Sequence, residues 1–259
     1  MTFCLNPTNL ITGNSKIYDV KEVLVSGTFG EVARCCIKGQ DKVVALKVMS
    51  RQYENEFLNE VQTLQLLNKL TNFKHCFIKL NDSFTYRGFL YQEFELLDKN
   101  LFTFLENKGR SLNVAEIRPI AQQILEALTV LKQLGITHTG VKLHNVMLVN
   151  HDDQPFRIKL IDFEFACETE TLKEKGILPM MAYRAPEIIL GLPLDEVIDT
   201  WSLGCLLSVL FLKYYPGFSQ LMLLNTLFSQ WSILLALQIN ETSLHTIKLK
   251  SPNVQGQKS

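Results

Sequence analysis

Two polar stretches in the second half of the chain carry residues that could bind a divalent cation. The stretch His138–Asn145 ends in an amide side chain, and Asp162 follows Asn145 by seventeen residues. We expect Asn145 and Asp162 to end short apolar strands that flank a polar turn at 151–154. Amide and carboxylate oxygens are hard ligands of the kind that Mg²⁺ prefers. The spacing therefore predicts Asn145 and Asp162 as Mg²⁺ ligands.

A glycine turn and a lysine in the first part of the chain could hold phosphate. Gly27 and Gly30 lie between two strand-like runs, where they permit a tight turn that brings backbone amides close to an anion. Such a turn in a hairpin is often only a turn. Lys47 ends the next apolar strand, and Glu60 on the following helix could hold its ammonium near phosphate oxygens. Alternatively, Lys47 is a surface lysine whose stem packs on apolar neighbours.

The elements that must position these residues form a strand-rich first third and a helical remainder. Residues 17–49 and 77–96 have strand composition, and the second run is broken by a turn at 86–88. Between them, residues 55–70 carry apolar side chains at helical spacing. After Leu97 the pattern is mainly helical. This order predicts an α+β chain of two lobes.

Charge and cysteine usage exclude several classes of function. The 259 residues include 26 Lys+Arg and 26 Asp+Glu, so a net charge of zero predicts no direct binding to nucleic acid or to an anionic membrane surface. The six cysteines form no CxxC pair, and no histidine lies at zinc-ligand spacing beside them, which indicates reduced thiols in a cytosolic or nuclear protein. The N-terminus lacks the basic and apolar regions of a secretory signal.

One long uncharged stretch needs separate treatment. No charged residue occurs from Tyr214 to Asn240, which is long enough to cross a bilayer. Polar side chains interrupt it, and its apolar residues fall on one helical face over 221–235. We therefore favour an amphipathic helix, with a membrane span as the less favoured alternative.

Several features occur together in an order that resembles protein kinase domains. They are the glycine turn, the strand lysine, the helix glutamate, the stretch His138–Asn145, the motif Asp162–Glu164 and the motif Ala185–Glu187. More narrowly, the chain resembles the homeodomain-interacting protein kinases, which are relatives of the dual-specificity tyrosine-regulated kinases. The segments FELLDKNLFTFL, AEIRPIAQQILEAL, YRAPEIILGLP and IDTWSLGC carry this resemblance. It covers residues 17–217.

The resemblance implies a two-lobed protein-kinase fold with a β-rich small lobe to about residue 96. It implies an N-terminal extension at 1–16, a kinase domain at 17–217 and a divergent C-terminal segment at 218–259. The family's activity would be transfer of phosphate from ATP, with Mg²⁺, to serine or threonine of protein substrates. Partners would be ATP and protein substrates or partners, among them transcription regulators, in the nucleus and/or cytoplasm.

The resemblance also implies a role for individual residues. Lys47 would contact the α- and β-phosphates, Glu60 would hold Lys47, and Lys142 would approach the γ-phosphate. Phe94 would be the gatekeeper, and His138 and Phe163 would pack beneath the site. The residues expected around the nucleotide are Leu24, Val25, Gly27, Gly30, Val32, Ala45, Lys47, Glu95, Leu97 and Met147.

The chain departs from the kinase pattern at four places. Gly140 replaces the aspartate that orients the substrate hydroxyl, so we expect slow phosphate transfer. Val25 replaces the first glycine of the phosphate loop and adds bulk. Glu164 replaces the glycine after Asp162-Phe163, and its negative charge could repel phosphate or point to solvent. Ile177 stands where the relatives carry a self-phosphorylated tyrosine, and Met181 and Ala182 replace basic and aromatic residues beside it.

A second expectation concerns the end of the large lobe. Only 42 residues follow Gly217, too few for the helices that normally complete this lobe, so we expect it to be C-terminally truncated. Glu187 would then lack its arginine partner, and the helix at 203–212 would be partly uncovered. We therefore expect a marginally stable, aggregation-prone protein unless a partner or a second copy covers the patch.

Three interpretations of function remain open from the sequence. The first is an ATP-binding member of the Ser/Thr kinase family with impaired transfer, and the second is a slow but competent kinase. The third is a non-catalytic pseudokinase scaffold. A decaying duplicate or a truncated gene model without selected function would have the same departures.

Overall fold

The computed structural model describes residues 5–6, 9–27, 30–172 and 181–213, which all lie within the unit Met1–Tyr214. Its first part is a six-stranded sheet in the order β1-β2-β3-β4-β6-β5, with antiparallel neighbours. The strands are β1 Leu10–Thr12, β2 Ile17–Ser26, β3 Gly30–Ile37, β4 Val43–Met49, β5 Leu80–Tyr86 and β6 Phe89–Glu95.

The predicted strand regions are confirmed, and one strand was not predicted. The expected turn between β5 and β6 contains Arg87 and Gly88, both with positive φ. No strand is expected in the N-terminal extension, yet β1 lies there and pairs with β2. Ile11 of β1 is 2% exposed and joins the sheet core, which explains why so short a strand pairs stably.

Helix α1, Glu54–Asn68, lies between β4 and β5 in the chain and confirms the predicted helix. It contacts β5 and β6 of the sheet. Its buried side chains recur every three or four residues and include one carboxylate, that of Glu60. They are Phe57, Glu60, Val61, Leu64 and Leu67. A charged side chain on the buried face of a helix is costly unless paired, so its position points to a site rather than to packing.

The second lobe is built around two long helices. Helix α2 spans Leu101–Lys108, α3 spans Val114–Gln133, α4 spans Pro186–Leu190 and α5 spans Val197–Leu212. A reciprocal capping box between Asn113 and Glu116 starts α3, whose buried face packs on α5. The short strands here are β7 Ile136–Thr137, β8 Val146–Leu148, β9 Ile158–Leu160 and β10 Cys167–Glu168. The β-rich lobe followed by a helical lobe confirms the predicted two-lobed α+β architecture.

Among the described residues, no helix is long and apolar enough to cross a membrane. The uncharged stretch 214–240, for which an amphipathic helix is favoured over a membrane span, lies outside the described residues. The five cysteines within the described ranges form no disulfide.

Candidate functional site

The predicted cation ligands lie at one end of a small hairpin. Strands β8 and β9 are antiparallel, with Val146 opposite Leu160, and the Ile161 amide donates to the Asn145 carbonyl oxygen at 2.9 Å. Asn145 therefore precedes β8 instead of ending a strand as expected, whereas Asp162 follows β9. In an antiparallel pair, the start of one strand and the end of the other meet at the same edge. The two residues accordingly come together although the expectation for Asn145 was wrong.

The side chains at this edge fit a divalent cation. Asp162 has φ of +69°, and its Oδ1 atom is buried without a hydrogen-bond partner in the described part of the chain. The Asn145 amide nitrogen donates to the Gly140 carbonyl oxygen at 2.9 Å, which leaves the side-chain oxygen as its potential ligand atom. A buried carboxylate oxygen without a donor is costly, and a cation would satisfy it.

The predicted lysine–glutamate pair is formed. Lys47 of β4 places Nζ 2.6 Å from Oε2 of Glu60 on α1. The other carboxylate oxygen, Oε1, accepts the Phe163 amide at 3.0 Å. One buried carboxylate thus holds both the lysine and the backbone after Asp162.

Glu164 turns inward and makes a second ion pair with the same lysine. Its Oε1 lies 2.6 Å from Lys47 Nζ, and its side chain is 5% exposed. Burial raises the pKa of Glu164, with Asp162 and Glu60 adding to the rise and Lys47 opposing it. Burial lowers the pKa of Lys47, but the carboxylates of Glu60, Glu164 and Asp162 outweigh it and raise the pKa above its ordinary value. Of the two orientations considered from the sequence, the solvent-facing one is therefore wrong.

The loop around Gly140 is held by buried hydrogen bonds. Asp199 of α5 accepts the amides of His138 and Thr139 at 2.6 and 2.9 Å. The Gly140 amide donates to His138 Nδ1 at 3.1 Å, so the ring proton is on Nε2, which donates to the Ile161 carbonyl oxygen. Burial lowers the pKa of His138 to about 4, in keeping with a neutral ring. These hydrogen bonds fix the loop as far as Gly140, which has no side chain that could accept a proton from a substrate.

His138 and Phe163 have the packing role that was expected of them. The Phe163 ring is fully buried, with its centroid 4.7 Å from that of His138 and 5.9 Å from that of Phe77. These contacts join the Gly140 loop to the segment that carries Asp162. Lys142 is half-buried directly before the 3₁₀ turn Leu143–Asn145.

The residues expected around a nucleotide line neighbouring strands. Val25 of β2 lies opposite Val32 of β3, which lies opposite Lys47 of β4, so the three form one cross-strand row. Ala45 lies opposite Phe94 of β6. The remaining residues lie close to these strands or on the lobe that follows: Leu24 is in β2, Glu95 ends β6, Leu97 is buried just beyond it and Met147 is in β8.

The glycines of the expected phosphate loop have different structural requirements. The Gly27 amide donates to the Gly30 carbonyl oxygen at 2.8 Å, which closes the turn. A Cβ on Gly30 would lie 1.8 Å from the Val48 carbonyl oxygen, whereas one on Gly27 would meet only the Gly30 oxygen at 3.8 Å. Gly30 is therefore required by the close approach of β3 to β4, independently of any ligand. Val25 is 56% exposed, so its added bulk faces away from the core.

The departure at Ile177, Met181 and Ala182 lies partly outside the described residues. Ile177, at the position of the relatives' tyrosine, is outside the described residues. Met181 is 59% exposed. Glu187 is half-buried, and no ion pair joins it to another described residue.

Sequence reasoning missed two features at the site and a third elsewhere among the described residues. Asn59, next to Glu60, donates from its amide nitrogen to the carbonyl oxygens of Phe163, Glu164 and Ala166 at 2.7 to 3.2 Å. The amide contacts of Asp199 were missed as well, although its motif was noted. Elsewhere, His75, Cys76 and Glu126 bring potential ligand atoms within 4.8 Å of one another, across a separation of about fifty residues that spacing rules do not detect.

The fold and the site together define a protein kinase domain. A family model described as the protein kinase domain matches residues 18–253, and the chain belongs to this family. The match extends beyond residue 217, the expected end of the resemblance. The crystal structure of a kinase domain superposes with a TM-score of 0.74 at 25% identity, over 83% of this chain and 69% of that one.

Curated relatives indicate the branch of the family. The chain is 40% identical over 208 residues to homeodomain-interacting protein kinase 1 of Caenorhabditis elegans, covering 78% of this chain and 25% of the relative. It is 40% identical over 215 residues to human homeodomain-interacting protein kinase 4, covering 80% and 35% respectively. The mouse kinase 2 is 40% identical over 208 residues, covering 78% and 17%. The chain thus spans about a third or less of the length of these relatives.

Proposed function

We propose that this protein binds Mg-ATP in the cleft between its lobes and transfers phosphate slowly. The observation that carries the proposal is the intact Lys47–Glu60 pair in a chain whose Gly140 has no side chain. The pair supports nucleotide binding because burying two charges costs free energy, and core packing alone does not require a buried ion pair. The family supports use of ATP and a divalent metal.

Each retained residue has a definite task in this proposal. Lys47 contacts the phosphate chain, and Glu60 keeps its ammonium in place. The side-chain oxygens of Asn145 and Asp162 hold Mg²⁺, which when bound neutralises phosphate charge. Val32, Ala45, Met147 and Leu24 cover the adenine, and the backbone of Glu95 and Leu97 faces its edge. Lys142 approaches the γ-phosphate.

The slow step follows from Gly140. A positioned general base contributes about 10²–10⁴-fold, and glycine has no group that can accept the substrate proton. Positioning and metal electrostatics carry much of phosphate transfer, so some activity remains. We expect turnover on serine or threonine peptides at least ~10²-fold below that of an intact relative.

The relatives' names suggest the class of partner. Three of them are homeodomain-interacting protein kinases, so the proposed partners are transcription regulators, met in the nucleus or cytoplasm.

A thermal-shift titration with Mg-ATP tests the binding part of the proposal. Stabilisation should grow with ligand concentration, as mass action requires. The shift should be lost in Lys47→Met and reduced in Asp162→Asn. Lys47→Met leaves two buried carboxylates unpaired, so each variant must first show a cooperative melt without ligand. An absent shift at millimolar Mg-ATP, or equal shifts in wild type and both variants, would contradict nucleotide binding at this site.

A further inference from the structure

Two protein carboxylates bind the Lys47 ammonium. Glu60 and Glu164 each place a carboxylate oxygen 2.6 Å from Nζ, and the lysine side chain is 16% exposed. An ammonium has three N–H donors, and two of them are engaged here. A phosphate group that uses Lys47 must therefore share the ammonium with Glu164 or displace it.

The backbone that carries the Glu164 side chain is anchored to α1. Its carbonyl oxygen accepts the Asn59 amide at 2.9 Å, and the preceding Phe163 amide donates to Glu60. Because α1 holds the segment on both sides of the side chain, Glu164 reaches Lys47 from a fixed base. To leave Lys47, the Glu164 carboxylate would have to break these backbone contacts with α1 or rotate into another buried position.

The charges around the lysine disfavour a polyanion. Three carboxylates, those of Glu60, Asp162 and Glu164, act on one ammonium, that of Lys47. Each phosphate brought to Lys47 would meet the carboxylate of Glu164 at short range. Such like-charge contact is strong in a partly buried cleft, where screening by water is weak. The adenine part of a ligand, by contrast, meets the apolar residues of β2, β3 and β4 and carries no charge.

We propose that Glu164 is a specificity-determining residue that occupies the phosphate-facing side of Lys47 and shifts the site's preference from nucleoside triphosphates towards adenine nucleosides. This inference rests on the proposed function, because it assumes that the cleft accepts adenine. It extends that function by naming the residue that sets how much the phosphate chain contributes to affinity. In wild-type protein, the phosphate chain therefore adds less to binding than it would without the Glu164 carboxylate.

Calorimetric titration of the full chain with adenosine and with Mg-ATP tests this assignment. The variants are Glu164→Gln, which keeps the shape and removes the charge, and Glu164→Gly, which removes the side chain. Glu168→Gln is the matched control, since Glu168 is exposed on the same segment and its change alters net charge equally. We expect both Glu164 variants to bind Mg-ATP at least ~10-fold more tightly than wild type, with adenosine affinity changed less than ~2-fold and the control unchanged.

The outcomes separate this inference from the function beneath it. Equal Mg-ATP affinity in wild type and in both folded Glu164 variants, with adenosine bound throughout, would overturn the role of Glu164 and leave the adenine site standing. Equal tightening for adenosine and Mg-ATP would also overturn it, because the effect would then not concern phosphate. Failure of every variant to bind either ligand would overturn both proposals. Because Glu164→Gln and Glu164→Gly differ in size, the test still stands if one of them does not fold.

Discussion

Restoring an aspartate at position 140 should recover phosphate transfer. A Cβ built on Gly140 lies 3.3 Å from His138 Nδ1 and 3.4 Å from Asn145 Nδ2, and Gly140 is not among the residues with positive φ. The backbone thus suits an L-residue, and only a few tenths of an ångström must be gained from neighbours. We expect Gly140→Asp to change the free energy of unfolding by about 1 kcal/mol or less.

The gain in rate can be estimated from the role of the base. A general base contributes ~10²–10⁴-fold, or about 2.7–5.4 kcal/mol of the activation barrier. Because Glu164 still competes for Lys47, we expect the single variant to reach only the lower end, a rise of ~10²-fold in kcat/KM. Combining it with Glu164→Gly should add to this rise, mainly through a lower KM for ATP.

The assay is phosphate transfer from Mg-ATP to serine and threonine peptides, with Gly140→Asn as the matched control. Asparagine has the same size as aspartate but cannot accept the proton. Equal rates for Gly140→Asn and Gly140→Asp would show that the effect is steric, and the role assigned to a base would be wrong. A folded, ATP-binding Gly140→Asp that is no faster than wild type would refute the reasoning, as would wild-type turnover equal to that of an intact relative.

Two further predictions concern stability and solution behaviour. Burial raises the pKa of Asp199 from 3.8 to about 7. Protonated Asp199 therefore contributes to the free energy of unfolding fully below about pH 4, and this contribution is lost as the pH rises through about 7. Asp199→Asn should remove this pH dependence. It should also lower stability, because the asparagine NH₂ group would face a backbone N–H donor. Urea unfolding at about pH 4 and about pH 7 measures both effects, and a variant with the same pH profile as wild type would count against the prediction. Leu190 and Leu192 are 68% and 50% exposed, so apolar dye should bind and the protein should self-associate, with both reduced by Leu190→Ser/Leu192→Ser. A monodisperse wild-type monomer without dye binding would contradict the second prediction.

Much of the fold could be predicted because its signals are local. Period-two and helical patterns reveal most strands of the sheet and α1, and the turn at Arg87-Gly88 is read from residue types alone. The Lys47–Glu60 pair was expected from the resemblance to kinase domains, beside the alternative of a surface lysine, and the buried position of Glu60 explains why the pair forms. Strand β1 was missed because three residues carry almost no periodic signal.

The contacts that the sequence did not reveal are set by packing between distant segments. Glu164 lies more than a hundred residues from Lys47, and the Asn59 side chain that anchors the Glu164 backbone is just as distant in sequence. The amide contacts of Asp199 likewise join α5 to a loop about sixty residues earlier. No spacing rule gives the direction of a side chain whose partners come from a different lobe or helix.

A single-turnover experiment tests the central claim most directly. Protein in excess is mixed with γ-labelled Mg-ATP and a serine peptide, and bound ATP and labelled peptide are measured in the same samples. We expect ATP to be bound by wild type but not by Lys47→Met, with bound ATP converted at least ~10²-fold more slowly than by an intact relative. Rapid conversion of the bound ATP, or no difference in binding between wild type and a folded Lys47→Met, would contradict the account.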